Sequence, residues 1–227
     1  MIQSFRFPSI LLPGELDNYL STGWYRMAQC VFTTDFVEMN GQEYKAIWLR
    51  VNLKTYQPST TFGKLEKRNH HFRFEIVPFV YDKKYETLYT KYISSVNGER
   101  SKTLTDFLFD YSNNNIFNSM AIHLYDGESL VGAGIFDIGK KSAAGISSFF
   151  DPAYKKYSIG KYLIFKKIEF CKQNEFDYFY PGYFVPGIKY FDYKLKIGTG
   201  SLEFFNMHKK QWKNICAYQK ENTSLFI

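Results

Sequence analysis

Residues 145–182 read GISSFFDPAYKKYSIGKYLIFKKIEFCKQNEFDYFYPG. The run opens as a strand, Gly145 to Phe150, which stops at Asp151-Pro152 because proline removes a ladder donor and Asp-Pro starts turns. A short basic loop, Ala153 to Tyr157, carries Lys155 and Lys156. Ser158-Ile159-Gly160 then opens a helix predicted over Ser158 to Gln173. Tyr162, Phe165, Ile168 and Cys171 recur there at helical spacing, and the lysines are expected outward. Tyr178 to Phe184 reads as the next strand. A helix entrance preceded by lysines, with small residues where backbone must come close, forms an anion cradle: its first N–H groups are unpaired and the positive end of the helix dipole points outward. A simpler reading of the same residues is that Ser158 is an N-cap and the lysines only solubilise.

Working outward, Phe72 to Phe79 is expected as a strand and Lys83 to Ser95 as a helix with Tyr85, Leu88, Tyr89, Tyr92 and Ile93 on one face. Thr103 to Tyr111 is a second helix. Strands follow at Met120 to Tyr125 and Leu130 to Ile138, joined at Asp126-Gly127, a strong hairpin signal. After Pro186-Gly187 comes an irregular segment, then strands near Leu202 to Asn206 and Lys213 to Tyr218. Upstream, Pro13-Gly14 precedes a short helix at Leu16 to Leu20. Gln29 to Phe36 is expected to pair with Ala46 to Leu53, and Pro58 to Asn69 to be a basic loop leading into a helical turn. The order from Phe72 resembles that of the GNAT acyltransferase fold, a mixed sheet splayed between its fourth and fifth strands. The expected class is therefore α/β (α+β), a GNAT-like sheet flanked by helices, with a small N-terminal lobe over 1–69 and an acyltransferase domain over 70–227.

Composition narrows the function. The chain has 227 residues, is 20% aromatic and carries a formal net charge of +7. So much aromatic surface collapses into a core, which excludes intrinsic disorder. No stretch approaches the roughly 18 uninterrupted apolar residues of a membrane span. Met1 to Phe7 lacks a secretory apolar run, so the expected compartment is the cytoplasm. Cys30, Cys171 and Cys216 are dispersed, and His70-His71 would point to opposite faces of an extended segment. Neither pattern converges on a metal, and no metal or cofactor is expected. The positive charge is clustered, at Lys64, Lys67 and Arg68, at Lys155, Lys156 and Lys161, and at Lys189, Lys194 and Lys196. Such clusters suit a polyanion, since neutralised phosphates release counterions.

The run from Phe149-Phe150-Asp151-Pro152 through Ser158-Ile159-Gly160 to Tyr180-Pro181-Gly182-Tyr183 and Tyr193-Lys194 resembles the arginyl-tRNA–protein and leucyl-tRNA–protein transferases of the N-degron pathway. Gly23-Trp24-Tyr25-Arg26 and the segment Pro58-Ser59 to Asn69 are similar to family motifs as well, so the likeness extends over nearly the whole chain. The family's cysteine cluster is replaced here by Glu38-Met39-Asn40-Gly41-Gln42-Glu43, and Thr60-Thr61-Phe62-Gly63 thins its basic run.

The resemblance implies transfer of an arginyl or leucyl residue from an aminoacyl-tRNA, the co-substrate, to a protein N-terminal amine. The partners would be tRNA and protein N-termini, with no membrane and no DNA. Such a reaction calls for a proton acceptor and a hydroxyl donor, for which Asp151 and Tyr183 are the candidates. Lys155, Lys156, Tyr157, Ser158, Ile159 and Gly160 would hold the donor, and Tyr180, Gly182, Tyr193 and Lys194 the acceptor. Lys64, Lys67 and Arg68 would meet the tRNA backbone. Tyr180 and Tyr183 face opposite sides of a regular strand, so both line one cleft only if the chain bends at Gly182. An acyl-CoA-dependent N-acyltransferase of the same fold, or a tRNA- or peptide-binding relative without catalysis, fits the same residues.

Overall fold

A computed structural model describes residues 1–96, 100–110, 112, 114–198 and 200–221. The elements are β1 (Gln3–Arg6), α1 (Pro13–Ser21), β2 (Tyr25–Met27), β3 (Cys30–Thr34), β4 (Phe36–Met39), β5 (Gln42–Lys45), β6 (Ile47–Asn52), α2 (Thr60–Asn69), β7 (Arg73–Pro78), α3 (Lys83–Ile93), α4 (Leu104–Phe109), β8 (Ser119–Asp126), β9 (Ser129–Ile138), β10 (Ser142–Phe150), α5 (Ile159–Gln173), β11 (Tyr178–Phe184), β12 (Leu202–Asn206), β13 (Gln211–Asn214) and α6 (Ile215–Glu221). Two 3₁₀ segments are present: Pro152–Tyr157 leads into α5, and Lys189–Lys196 follows β11. The expected helix Thr103 to Tyr111 is realised as α4; Tyr111 itself lies outside the described residues.

One eight-stranded mixed sheet, in the order β13-β12-β6-β11-β10-β9-β8-β7, carries the fold. Glycine decides how α5 sits on it. Gly132 and Gly134 face α5, where a Cβ would come 2.8 Å from Ile159 Cγ2 and 3.0 Å from Lys167 Cε. The intervening Ala133 and Ile135 point the other way, into a cluster with Tyr85, Leu88 and Tyr89 of α3 and Leu104 and Leu108 of α4. Strand alternation thus gives each face of the sheet its own helical layer.

Most elements from Phe72 onward fall where expected, and the departures are tertiary. β6 does not pair with the Gln29 to Phe36 segment. It enters the large sheet between β11 and β12, antiparallel to both. β3 instead lies between β1 and β2, and the Asn40-Gly41 turn joins β4 to β5. Residues before the expected boundary at 69 therefore contribute a strand to the same sheet as those after it. Pro58 to Asn69 is mostly helix, capped by the Ser59 hydroxyl, which accepts from Phe62 N. The strand expected at Lys213 to Tyr218 is short, because α6 begins at Ile215. Cys30 and Cys171 are buried, whereas Cys216 is exposed.

The N-terminal segment is pinned by a buried ion pair. Arg26 Nη1 lies 3.0 Å from Asp137 Oδ1, with both side chains shut off from water. Ser119 Oγ donates to the same carboxylate oxygen at 2.6 Å, and Arg26 Nη2 donates to Leu108 O at 2.9 Å. Burial pushes the Asp137 carboxyl up, and Arg26 and Ser119 pull it back. Removing one partner of such a pair strands a charge. Arg26→Leu is therefore expected to cost about 3–5 kcal/mol of stability, read as a lowered urea midpoint at unchanged slope.

Candidate acyl-transfer site

The site forms where β10 and β11 part. They pair in parallel only through Ser142–Tyr178, Ala143–Phe179 and Ala144–Tyr180. Beyond that point each strand slips register against its other neighbour, β10 between Gly145 and Ser147 and β11 between Phe179 and Gly182. Lys167 holds the β10 irregularity from below. Its amine donates to Ser147 O at 2.7 Å, Ile135 O at 2.9 Å and Ser148 Oγ at 3.1 Å. All three of its protons are used. The side chain is buried, and burial lowers its pKa to about 7. This corrects the expectation that the lysines of this helix all point outward.

Gly182 supplies the bend on the β11 side. Its φ is +87°, a backbone conformation glycine adopts without penalty. Tyr180 and Tyr183 consequently join one cluster with Tyr25 and Trp48. Trp48 lies 5.1 Å from the Tyr183 ring and stacks on Tyr25. Tyr180 is fully buried beside Trp212 and Arg50, and burial pushes its phenol up to about 12. Arg50 is itself committed to Glu203 at 2.6 Å.

The Lys189–Lys196 segment lies against the end of β11. Lys194 Nζ donates to Tyr183 O at 2.7 Å, so Gly182, Tyr183, Tyr193 and Lys194 converge. On the α5 side a cavity of about 60 Å³ is floored by Ile164, Phe165, Ile197 and Tyr193, with exposed Lys161, Lys196 and Thr61 at its edge. Burial raises the Tyr193 phenol, so it stays protonated. Sequence reasoning named Tyr193 but passed over Lys161 and Lys196 as part of the general basic character, because no spacing marks two lysines on separate elements as neighbours.

At the helix entrance Ser158 is left-handed, φ 55°, and makes no side-chain cap. Its carbonyl accepts from Lys161 N and Tyr162 N at 3.1 Å. Among the described residues nothing accepts from the Ile159 and Gly160 amides, which is the cradle geometry. The Ile159 side chain packs on Gly132 and the whole residue is shut off from water, which leaves half-buried Gly160 as the accessible part of the turn. Tyr157 packs on Phe72 and His71. Asp151 is otherwise engaged: Oδ1 accepts from Ala153 N and Oδ2 pairs with Lys91, each at 3.0 Å. The Ala153 amide and Lys91 hold its carboxyl below the usual carboxylate range, which suits a loop anchor and makes it a weak proton acceptor.

α2 docks beside this entrance. Arg68 Nη1 donates to Lys156 O at 3.3 Å and Asn69 Nδ2 to Tyr157 O at 3.1 Å. Exposed Lys64, Lys67 and Arg68 therefore continue the basic edge made by exposed Lys155 and Lys156. The described residues contain no group of three or more side chains able to hold a metal, and no helix among them is long and apolar enough to cross a membrane.

A model of the family described as "Arginine-tRNA-protein transferase, C terminus" matches residues 83–202, the span from α3 into β12. The chain belongs to this family. As a member it is an aminoacyl-tRNA–protein transferase. It is similar to an aspartate/glutamate leucyltransferase of Leptospira interrogans, 27% identical over 96% of this chain and 86% of that protein. A protein of the same name from Paracoccus denitrificans is 24% identical, over 82% of this chain and 70% of the relative. Among solved structures, L-PGS from Bacillus licheniformis has a TM-score of 0.47 at 10% identity, over 74% of this chain and 49% of that one. The ribosomal-protein-S18-alanine N-acetyltransferase from Escherichia coli has a TM-score of 0.33 at 12% identity, over 45% of this chain and 61% of that one.

A Cβ at Gly160 would meet Phe150 Cε1 at 3.4 Å, ordinary to tight contact. Gly160→Ala is expected to bind aminoacyl-tRNA nearly as wild type, and Gly160→Asp to lose about 1.5 kcal/mol or more by setting a carboxylate against the donor phosphate. Equilibrium filter binding of both variants checks this. Replacing Lys64, Lys67 and Arg68 together by Ala should weaken every tRNA alike and shallow the salt dependence by roughly one unit for each phosphate left without its cation, measured as log Kd against log salt.

Proposed function

We propose that this transferase moves a leucyl residue from leucyl-tRNA to a protein N-terminus that begins with aspartate or glutamate. The observation that carries the donor choice is the cavity beside Tyr193. Its floor is aliphatic and aromatic, its charged lining residues are Lys161 and Lys196, and no carboxylate lines it. An arginyl guanidinium would meet two like charges and no anion there, whereas a leucyl side chain would bury apolar surface. The two lysines at the edge suit the phosphates of the tRNA terminus. The relatives named aspartate/glutamate leucyltransferase support the same donor and add the acceptor class. The reaction belongs in the cytoplasm, where charged tRNA is found.

The chemistry asks mainly for alignment. The acceptor's α-amine attacks the carbonyl carbon of the aminoacyl ester, forming a C–N bond. The tetrahedral intermediate collapses with cleavage of the bond to the terminal ribose oxygen, and the proton lost by the amine ends on that oxygen. Tyr183, whose phenol burial keeps protonated, would donate its hydroxyl to the developing oxyanion. Tyr180, inside the aromatic cluster, supports Tyr183 through Trp48 and Tyr25 and does not itself face the reactants. Asp151 anchors the loop that presents the cradle.

The test is a competition. Purified protein is incubated with leucyl-tRNA, arginyl-tRNA and acetyl-CoA together, and with peptides that differ only in the first residue. Peptides beginning with Asp or Glu are expected to gain a leucyl residue by mass. An arginyl product would overturn the donor assignment, and an acetyl product alone would replace tRNA by CoA.

A further inference from the structure

We propose that Lys194 and Arg100 form the subsite that reads the side-chain carboxylate of the acceptor's first residue. The proposal rests on the acidic-acceptor reading above and names the groups that would enforce it. It starts from how the other enclosed basic groups are satisfied. Arg26 pairs with Asp137, Arg50 with Glu203, and Lys166 with Glu66 and Glu169. Lys167 spends all three donors on oxygen atoms. Lys194 is the exception. Its amine makes one hydrogen bond, to Tyr183 O, and is otherwise surrounded by the rings of Tyr183, Phe191 and Tyr193 at 5.3, 5.6 and 6.0 Å. No carboxylate among the described residues pairs with it, Asp192 on the same segment included. An ammonium has three donors, so two remain for a ligand. Burial alone lowers its pKa, to about 7, which is the cost of a charge without a counterion.

Gly182 is part of the arrangement. A Cβ there would lie 3.3 Å from Lys194 Nζ. The bend that turns Tyr183 into the cleft thereby also makes room for the amine.

Arg100 supplies a second cation beside the same tyrosines. Its guanidinium donates to the Tyr190 hydroxyl and sits 5.5 Å from that ring. Its charge also acts on Tyr92, Tyr183 and Tyr193, opposing the rise that burial gives their phenols. Lys194 and Arg100 thus border the same group of tyrosines, and neither has a carboxylate partner among the described residues. Aromatic walls exclude water and strengthen a charge pair, and an arginine fork matches a carboxylate. Tyr193 also lines the donor cavity. A side-chain carboxylate held by Lys194 and Arg100 therefore leaves its own α-amine beside the donor ester. The same two charges repel a first residue that is Lys or Arg.

The experiment measures leucyl transfer and, without tRNA, equilibrium peptide binding. It uses peptides beginning with Asp, Asn or Lys and otherwise identical. Lys194→Met is expected to reduce the Asp-over-Asn preference by roughly 10–150-fold, the worth of a hydrogen bond to a charged group. Lys194→Arg should restore part of that preference. Arg100→Glu, at an exposed side chain, should shift preference from Asp toward Lys and keeps the test decisive if the Lys194 variants do not fold. An unchanged Asp-to-Asn ratio in folded variants overturns the proposal. So does an equal loss for all three peptides, which marks a general catalytic role, or weaker leucyl-tRNA binding at constant preference, which marks a tRNA phosphate site. The two readings fail separately. Wild-type transfer to acidic peptides with a Lys194-independent preference removes this subsite and leaves the proposed function. Lys194-dependent discrimination in peptide binding, without leucyl transfer, keeps the subsite and removes the proposed reaction.

Discussion

Everything at the active end depends on two parallel strands that stay together for only a few residues. β10 and β11 are joined from Ser142 to Ala144 and then part. Two parallel strands in one sheet need a crossover between them, and α5 is that crossover. Its N-terminus therefore sits at the C-terminal end of β10, beside the opening. The opening exposes backbone that a regular sheet would have paired, and each strand handles this differently. β10 passes Ser147 O to the Lys167 amine below the sheet. β11 bends at Gly182 and passes Tyr183 O to the Lys194 amine from the segment that follows. Buried Lys167 and half-buried Lys194, on opposite sides of the gap, perform the same backbone service, but only Lys194 is left with donors to spare.

The charges divide along this line. Three cations that hold the structure are matched by carboxylates, Arg26 by Asp137 across the N-terminal segment, Arg50 by Glu203 beside Trp212 and Lys91 by Asp151 at the loop before α5, and Lys167 is matched by carbonyl and hydroxyl oxygens instead. Among the described residues, Lys194 and Arg100 near the opening and Lys64, Lys67 and Arg68 on α2 have no carboxylate partner. An unpaired cation is costly where it is buried and cheap where it is exposed. The exposed edge is therefore suited to a long polyanion bound through many weak contacts, and the enclosed Lys194 to one anion bound closely. On the proposed reading a broad basic edge would meet tRNA and a narrow site at Lys194 the acceptor, with Tyr193 lining the cavity between them.

Much of this was legible from residue order. The stop at Asp151-Pro152, the small residues at Ser158 and Gly160, and the periodic run to Gln173 identify a strand, a tight helix entrance and a helix, because each signal is local and acts through the backbone. The same local reading went astray where the partner lies far along the chain. β6 reads as half of a nearby hairpin, yet it fits between β11 and β12, where Leu49 and Val51 are wholly enclosed. Lys167 reads as one lysine of an outward face, and only the glycines of β9 and the slipped carbonyl of β10 make an inward amine tolerable. Arg100 follows no motif, since its relevance comes from Tyr190, which is 90 positions later in the chain.

The sequence by itself determined the class of fold, the family, the basic edge and the cradle, because these follow from periodicity, turn chemistry and short ordered motifs. Tertiary structure decided what each candidate can do. It engaged Asp151 as a cap and ion-pair partner, buried Tyr180 in an aromatic cluster, and brought Tyr183 against that same cluster beyond the positive φ of Gly182. It also left half-buried Lys194 without a carboxylate partner among the described residues. The physical reason is that desolvation and pairing depend on which distant residues surround a group, and those neighbours exist only once the chain has closed around the gap between β10 and β11.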